Sequence, residues 1–267
     1  MLILLLLIVL YLYAIKPNLK RKAEMKDFEK VLYTHRGYFN NLDIPENSLK
    51  AFKKTRDKKM GTELDVQLTS DNKLVVFHDV SLKRMCNLDM KLTDLTYDEL
   101  NELHLLDTDE KIPLFSEVLD TLGKDVPIIV EIKPEDRAIE TCDRAIELLN
   151  KYENKYVMES FNPLVVKHLK DKYPDIIRGQ LTYDYIHDEK LKNKSLLLRF
   201  VMTYCLSNFY TKPDFVAMDI HNQNISFKLI SKLYKAECVA WTVKSKEELE
   251  QAKEYYQQFI FDSFDPE

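Results

Sequence analysis

Short apolar runs alternate with helical patterns along most of the chain. Nine runs are rich in β-branched and apolar residues and predict strands, whereas the intervening segments repeat apolar residues every three to four positions. The runs are residues 31–34, 63–68, 74–77, 127–132, 156–160, 176–181, 215–220, 238–243 and 259–261. This alternation is typical of parallel βα units and predicts an α/β fold, a distorted (β/α)₈ (TIM) barrel.

Nine runs exceed the eight strands of such a barrel. Only residues 69–73 separate the second run from the third, which is too short for a crossover helix between parallel strands. Either the barrel is distorted there, or one run forms an extra ribbon.

Several helices are indicated by their apolar spacing and their end signals. A capping box of Ser245 with Glu248 predicts a helix reaching Tyr256. Amphipathic spacing predicts further helices over residues 48–58, 135–152 and 163–173.

The first residues form a membrane-seeking segment. Residues 2–15 are apolar apart from Tyr11 and Tyr13, and a helix of this length reaches about 21 Å, less than the ~30 Å hydrocarbon core. No basic residues precede the run, and no small-residue cleavage site follows it. We therefore expect residues 1–26 to form an uncleaved anchor that marginally spans the membrane or lies in its interface; the alternative is a cleaved signal peptide.

Basic residues follow this apolar run. They are Lys16, Lys20, Arg21, Lys22 and Lys26. By the positive-inside rule this flank predicts a membrane-associated protein whose domain, residues 27–267, stays on the cytoplasmic side.

Composition excludes several classes of protein. The 267 residues are 45% hydrophobic, which excludes a disordered chain. The net charge of −5 disfavours nucleic acid as a partner. The four glycines are too widely spaced for a dinucleotide-binding or Walker A loop, and the four cysteines are too scattered for a zinc site.

Ionisable residues concentrate where four predicted strands end. His35 and Arg36 close the first run, Glu63 and Asp65 stand in the second, His78 closes the third, and Glu131 and Lys133 close the fourth. In a barrel these strand ends line the catalytic face. His221 also follows a strand end, and its role stays open.

Three carboxylates suit a metal ion. Glu63 and Asp65 stand two residues apart in the second run and therefore face the same side of the sheet. With Glu131 they offer oxygen ligands to one hard divalent cation, Mg²⁺ or Ca²⁺, because buried like charges are costly unless a cation joins them.

The ordered motifs resemble the glycerophosphodiester phosphodiesterase family. They read THRGYFNNLDIPENSLKAF, GTELDVQLTSDNKLVVFHD, IPLFSEVLD and IVEIKP, with weaker agreement at ESFNP and VAWTVKSKEEL. The resemblance implies a barrel with a small insertion, about residues 81–111, after the third run. It also implies that the family's closing Thr-Asp-x-Pro stretch, here FDSFDPE, lies remote from the reacting phosphorus.

The resemblance also implies an activity: hydrolysis of a glycerophosphodiester to glycerol 3-phosphate and an alcohol. By this resemblance His35 and His78 form the acid/base pair, Glu63, Asp65 and Glu131 bind the metal, and Arg36 and Lys133 bind the phosphate. A neighbouring glycerol hydroxyl is the implied nucleophile, giving a cyclic phosphate that water opens. The sequence leaves open which imidazole is the acid and which is the base.

Two alternatives compete with this activity. One is a lysophospholipase-D-like reaction on lysophospholipids, which keep one acyl chain. The other is a membrane-tethered module that binds phospholipid head groups without turnover, although such binding does not require two histidines.

One further segment is unusually apolar. Residues 195–210 carry a single charge, Arg199, and read as a helix that is apolar around much of its circumference. We expect either a second membrane contact beside residues 2–15 or a helix buried by its neighbours.

Overall fold

A computed structural model of the chain describes residues 1–29, 31–133 and 136–266. Within these ranges the strands are β1 Tyr33–His35, β2 Gly61–Leu68, β3 Leu74–Val76, β4 Ile128–Ile132, β5 Tyr156–Ser160, β6 Arg178–Thr182, β7 Phe215–Asp219, β8 Glu237–Val243 and β9 Gln258–Phe261. Each of the nine predicted runs therefore overlaps a strand.

The described helices connect these strands. They are α1 Leu2–Ile15, α2 Lys22–Met25, α3 Leu49–Asp57, α4 Lys83–Cys86, α5 Tyr97–Leu100, α6 Phe115–Leu122, α7 Ala138–Leu149, α8 Pro163–Lys172, α9 Leu196–Thr203, α10 Asn208–Thr211, α11 Ile225–Lys228 and α12 Lys246–Ala252. Short 3₁₀ turns occur at Leu92–Asp94 and Glu189–Leu191, and a π turn at Leu229–Leu233. Residue 135, the predicted start of the helix now seen as α7, lies outside the described residues.

The strands are hydrogen-bonded in the order β1-β9-β8-β7-β6-β5-β4-β2-β3, and β1 also pairs with β2. This connectivity is that of a (β/α)₈ barrel, so the predicted fold class is confirmed. The extra run is a ribbon, because β3 pairs antiparallel with β2 and its Leu74 lies opposite Leu68.

The chain divides into two compact units. Unit 1 comprises Met1–Lys30 and Glu159–Phe259, and unit 2 comprises Val31–Met158 and Ile260–Glu267. In unit 1, β7 pairs in parallel with both β6 and β8. In unit 2, β1 pairs in parallel with β2 and with the end of β9, and β2 pairs in parallel with β4.

The predicted insertion has its own small core in unit 2. Leu82, Met85, Leu92 and Leu100 are buried there and pack with Phe77, which follows β3. Helices α4 and α5 lie in this segment, and a capping box of Thr96 with Glu99 starts α5. The insertion therefore folds as a compact extension of the β2–β3 ribbon.

The residues that follow the first apolar run are folded against unit 1. Ile15 and Met25 are fully buried. The Asn18 side chain donates to Asp214 over 2.6 Å, and Arg21 donates to the carbonyl oxygen of Pro174 over 3.0 Å. The basic flank is thus held on the protein surface, while the division of the chain at residue 26 stays a prediction.

Among the described helices, none combines the length and the apolar character that a bilayer-spanning helix needs. Helix α1 is apolar throughout, and it has 14 residues.

The prediction of one helix over residues 195–210 is wrong in detail. The segment forms two short helices, α9 and α10, because the chain turns at Cys205, whose φ is 56°. Leu196, Leu197 and Leu198 are exposed, so burial of this part of the segment by neighbouring helices is excluded.

Candidate active site

The predicted metal-binding carboxylates meet inside unit 2. The register of the parallel strands places His35 opposite Glu63, and Asp65 opposite Glu131. Because alternate residues of a strand share a face, Glu63 and Asp65 point the same way as Glu131. Ligand oxygens from the three carboxylates lie within 4.8 Å of one another, and all three residues are buried.

Two cations and one amide contact this carboxylate cluster. Lys133 Nζ lies 2.8 Å from a Glu131 oxygen and 3.3 Å from Asp65 Oδ1. Arg36 Nε lies 3.5 Å from Asp65 Oδ2, and the Arg36 backbone N–H donates to Glu63 over 3.2 Å. The Asn47 side chain donates to Asp65 Oδ2 over 2.9 Å.

The charges in the cluster shift one another's pKa values. Burial alone would raise the pKa of Asp65, but Lys133, His78 and Arg36 outweigh it and hold that pKa well below its usual range. Burial raises the pKa of Glu131 despite the opposing effect of Lys133. Burial would lower the pKa of Lys133, but the two carboxylates outweigh it and raise that pKa.

The donor set fits a hard divalent cation. Three buried carboxylates face two positive side chains, which leaves one excess negative charge. Oxygen ligands of Mg²⁺ or Ca²⁺ stand about 2.0–2.6 Å from the ion, so oxygens on opposite sides of it are about 4–5 Å apart. The carboxylate oxygens lie within that span of one another.

Each predicted catalytic histidine is paired with a carboxylate through Nδ1. His35 Nδ1 lies 2.8 Å from Asp262 Oδ2, and His78 Nδ1 lies 2.6 Å from Asp79 Oδ1. A hydrogen bond of this kind orients the ring and favours the proton on Nδ1, which leaves Nε2 able to accept a proton. Burial and the charge of Arg36 lower the pKa of His35, although Asp262 opposes them.

A series of ion pairs connects Arg36 to the aspartate that contacts His78. Glu46 contacts Arg36 at 2.7 Å and accepts two hydrogen bonds from Arg84, at 2.7 and 2.8 Å. Arg84 also donates to Asp79 over 2.7 Å, and Asp79 holds His78. Charged, two-pronged contacts restrict side-chain rotation, so this network positions both Arg36 and His78.

The sequence did not indicate these supporting residues. Glu46 and Asn47 lie in a motif that matched the family, yet nothing in their spacing assigned them a contact. Arg84 belongs to the insertion, and Asp262 lies 227 positions after His35. Asp262, in the closing FDSFDPE stretch, contacts His35 directly; that this stretch lies remote from the reacting phosphorus stays a prediction.

Three further histidines, His104, His187 and His221, are exposed. His104 and His187 are exposed and bond to Thr108 and Asp184. His221, which the sequence left open, is an exposed residue of unit 1 with Glu248 3.8 Å away.

Comparison with known proteins gives a family match over most of the chain. Residues 35–261 match the model of the glycerophosphoryl diester phosphodiesterase family. A curated relative from Caldanaerobacter subterraneus, named glycerophosphodiester phosphodiesterase, is 32% identical over 167 residues. That alignment covers 57% of this chain and 66% of the relative, so the chain spans just under two thirds of that relative's length.

Solved structures show the same fold. An Oleispira antarctica phosphodiesterase, described in complex with the product sn-glycerol-3-phosphate, superposes with a TM-score of 0.72 at 19% identity, covering 89% of this chain and 95% of that one. A glycerophosphodiester phosphodiesterase from Thermotoga maritima superposes with a TM-score of 0.66 at 28% identity, covering 87% and 94%.

Proposed function

The chain belongs to the glycerophosphoryl diester phosphodiesterase family, and we propose that it hydrolyses a glycerophosphodiester to glycerol 3-phosphate and an alcohol. The family consists of phosphoric diester hydrolases, which agrees with the enzyme class expected from the sequence. We also propose that the reaction is assisted by a metal ion and uses His35 and His78 as its acid/base pair.

One observation carries this proposal: two carboxylate-paired imidazoles accompany a buried cluster of three carboxylates and two cations. His35 and His78 each hold Nδ1 against an aspartate, so both can present Nε2 to a substrate. Phe77, the residue before His78, donates its backbone N–H to the carbonyl oxygen of Asp65 over 2.9 Å, so the chain at His78 runs beside the cluster. A module that only bound head groups would need the cations but not this pair of oriented imidazoles.

The two imidazoles have opposite roles: one accepts a proton from the substrate, and the other donates a proton to it. One Nε2 takes the proton from the neighbouring glycerol hydroxyl as its oxygen bonds to phosphorus. The other, starting protonated, gives its proton to the alcohol oxygen as the bond from that oxygen to phosphorus breaks. The product is a cyclic phosphate; water then opens the ring with the two roles reversed, and glycerol 3-phosphate is released.

Charge stabilisation comes from the groups around the carboxylates. Phosphoryl transfer gathers negative charge on the non-bridging oxygens, and we assign Arg36 and Lys133 to hold them. Arg36 offers a planar, two-pronged donor and Lys133 a compact charge. A divalent cation held by Glu63, Asp65 and Glu131 would add Lewis-acid stabilisation of the same charge.

The test of the histidine pair is turnover by the purified full chain. Glycerol 3-phosphate release from glycerophosphocholine would be measured for the wild type, for His35→Ala and for His78→Ala. Each single variant should lose at least about 10³-fold in kcat, and the double variant should be little worse than either one. His187→Ala, at a side chain 81% exposed, is the matched control and should keep full activity. Near-normal turnover in either site variant would contradict the assignment.

The metal is tested separately. Chelation should abolish activity, and Mg²⁺ or Ca²⁺ should restore it. Without substrate, the same cation should raise the midpoint of thermal unfolding of the wild type but not that of Glu131→Gln. Full activity after exhaustive chelation would show that the carboxylates have another role.

Parallel substrates separate the proposed reaction from its alternatives. Lysophosphatidylcholine tests the lysophospholipase-D-like reaction, whose products would be lysophosphatidic acid and choline. Head-group binding without release of any product would favour the non-catalytic module. We expect the diester that lacks an acyl chain to be hydrolysed.

A further inference from the structure

Two apolar surfaces of unit 1 are exposed to solvent. In α1, every side chain from residue 2 to residue 10 is between 47% and 81% exposed. In α9, Leu196, Leu197 and Leu198 are 65%, 72% and 51% exposed. Exposed apolar area of this extent on a folded domain indicates a binding surface.

Helix α9, which carries one of the two surfaces, is anchored at the carboxyl ends of β6 and β7. Thr182, the last residue of β6, donates to the carbonyl oxygen of Met202 over 2.8 Å. Asn224, which follows β7, donates to the carbonyl oxygen of Thr203 over 2.7 Å. The C-terminal end of α9 is thus held at this end of the strands.

Helix α1 runs toward the same end. Asn18 bonds to Asp214, just before β7 begins, whereas Tyr11 bonds to Ser226, beyond the end of β7. Followed backward from Asn18 to Tyr11, the chain therefore passes from the amino end of β7 toward its carboxyl end, and residues 10 to 2 continue the helix in that direction. At about 1.5 Å per residue they extend roughly 13 Å further.

The chemistry of these surfaces matches a lipid bilayer better than a protein partner. A helix that binds a protein needs one apolar stripe, whereas residues 2–10 are apolar on every side. Lys190, Lys192 and Lys194 directly precede α9 and are exposed. Lysines beside an inserted apolar surface pair with anionic lipid head groups.

We propose that residues 2–10 and the exposed leucines of α9 insert together into the surface of a bilayer containing anionic lipid. The insertion is interfacial, and it turns the carboxyl ends of β6 and β7 toward the membrane. Membrane binding through two elements, rather than through a flexible tether, would thus give the domain a defined orientation.

The test is vesicle flotation of the full chain, with α1 intact. Vesicles of phosphatidylcholine and phosphatidylglycerol should bind the wild type, and Leu197→Ser/Leu198→Ser should lower the partition coefficient about tenfold or more. The control is Leu233→Ser, 55% exposed at the turn before β8, which should change binding by less than about twofold. Leu6→Lys should weaken binding through α1.

Three results would overturn the proposal. The first is wild-type binding by the double α9 variant, or by Leu196→Ser/Leu198→Ser if the first variant misfolds. The second is equal loss in the Leu233→Ser control. The third is that the wild type is an oligomer, and that the α9 variant is a monomer with unchanged vesicle binding. The exposed leucines of α9 would then form an interface between two copies of the chain. Flotation measures binding without turnover, so its outcome is independent of the proposed reaction.

Discussion

Replacement of Asp262 by asparagine should disable His35 by imposing the wrong tautomer. The carboxylate of Asp262 is shared between two neighbours: Oδ2 faces His35 Nδ1 at 2.8 Å, and Oδ1 accepts a hydrogen bond from the Ser263 hydroxyl at 2.6 Å. In Asp262→Asn, the single amide oxygen should lie beside the Ser263 hydroxyl, because that hydroxyl needs an acceptor. The amide NH₂ group then faces His35 Nδ1. Nδ1 must then accept, and the proton moves to Nε2.

The size of the effect follows from this geometry. A ring with its proton on Nε2 cannot take a proton from the substrate, and an equivalent substitution in a Ser-His-Asp triad lowers kcat about 10⁴-fold. Asp262→Ala only removes the acceptor. Loss of a hydrogen bond to a charged group costs about 1.5–3 kcal/mol, which corresponds to about a 10- to 150-fold loss. We therefore expect the isosteric amide to be more harmful than alanine.

The assay is kcat and KM for glycerophosphocholine hydrolysis, with ¹⁵N NMR of the His35 ring to read its tautomer. Asp265→Asn is the matched control, because this neighbouring acid pairs with Lys58 at 3.1 Å. KM and the thermal midpoint should change little in either variant. A kcat for Asp262→Asn within about threefold of the wild type, or a larger loss in Asp262→Ala, would refute the reasoning.

Three further predictions concern stability. Gly179→Ala should lower the thermal midpoint, because a Cβ would lie 2.1 Å from the ring of Phe215 on the neighbouring strand and overpacking costs about 1–3 kcal/mol; an unchanged midpoint would contradict this. Burial would raise the pKa of Glu46, but Arg84, Arg36 and Asn41 together outweigh it and lower that pKa from 4.5 to about 2. The carboxylate therefore contributes roughly 3 kcal/mol of stability that is present above pH 4.5 and lost as the pH falls through 2. Urea unfolding between pH 3 and 7 should therefore show a weaker pH dependence for Glu46→Gln. Lys133→Met should destabilise the chelated protein by about 3–5 kcal/mol, and added Mg²⁺ should recover part of the loss in a thermal melt; equal stability of the variant and the wild type would contradict the ion-pair geometry.

Local patterns in the sequence were sufficient for the strands and the fold class. Runs such as 127–132 and 156–160 coincide almost residue for residue with β4 and β5. Period-two spacing also placed Glu63 and Asp65 on one face, as observed, because strand geometry depends on neighbouring residues alone. The short link between the second and third runs correctly signalled an irregularity, but it could not show that β3 reverses direction.

Contacts between distant residues needed the tertiary structure. The motifs pointed to His35 and His78. The partner of His35, however, is Asp262, which is far away in the sequence. Arg84, a residue of the insertion, contacts Asp79, the partner of His78. Such a contact depends on where two strand ends arrive in space, which no local spacing encodes. The exposure of a side chain also depends on distant residues. The sequence was compatible with the leucines of α9 being either buried or exposed, and only the positions of the neighbouring elements show that they face solvent.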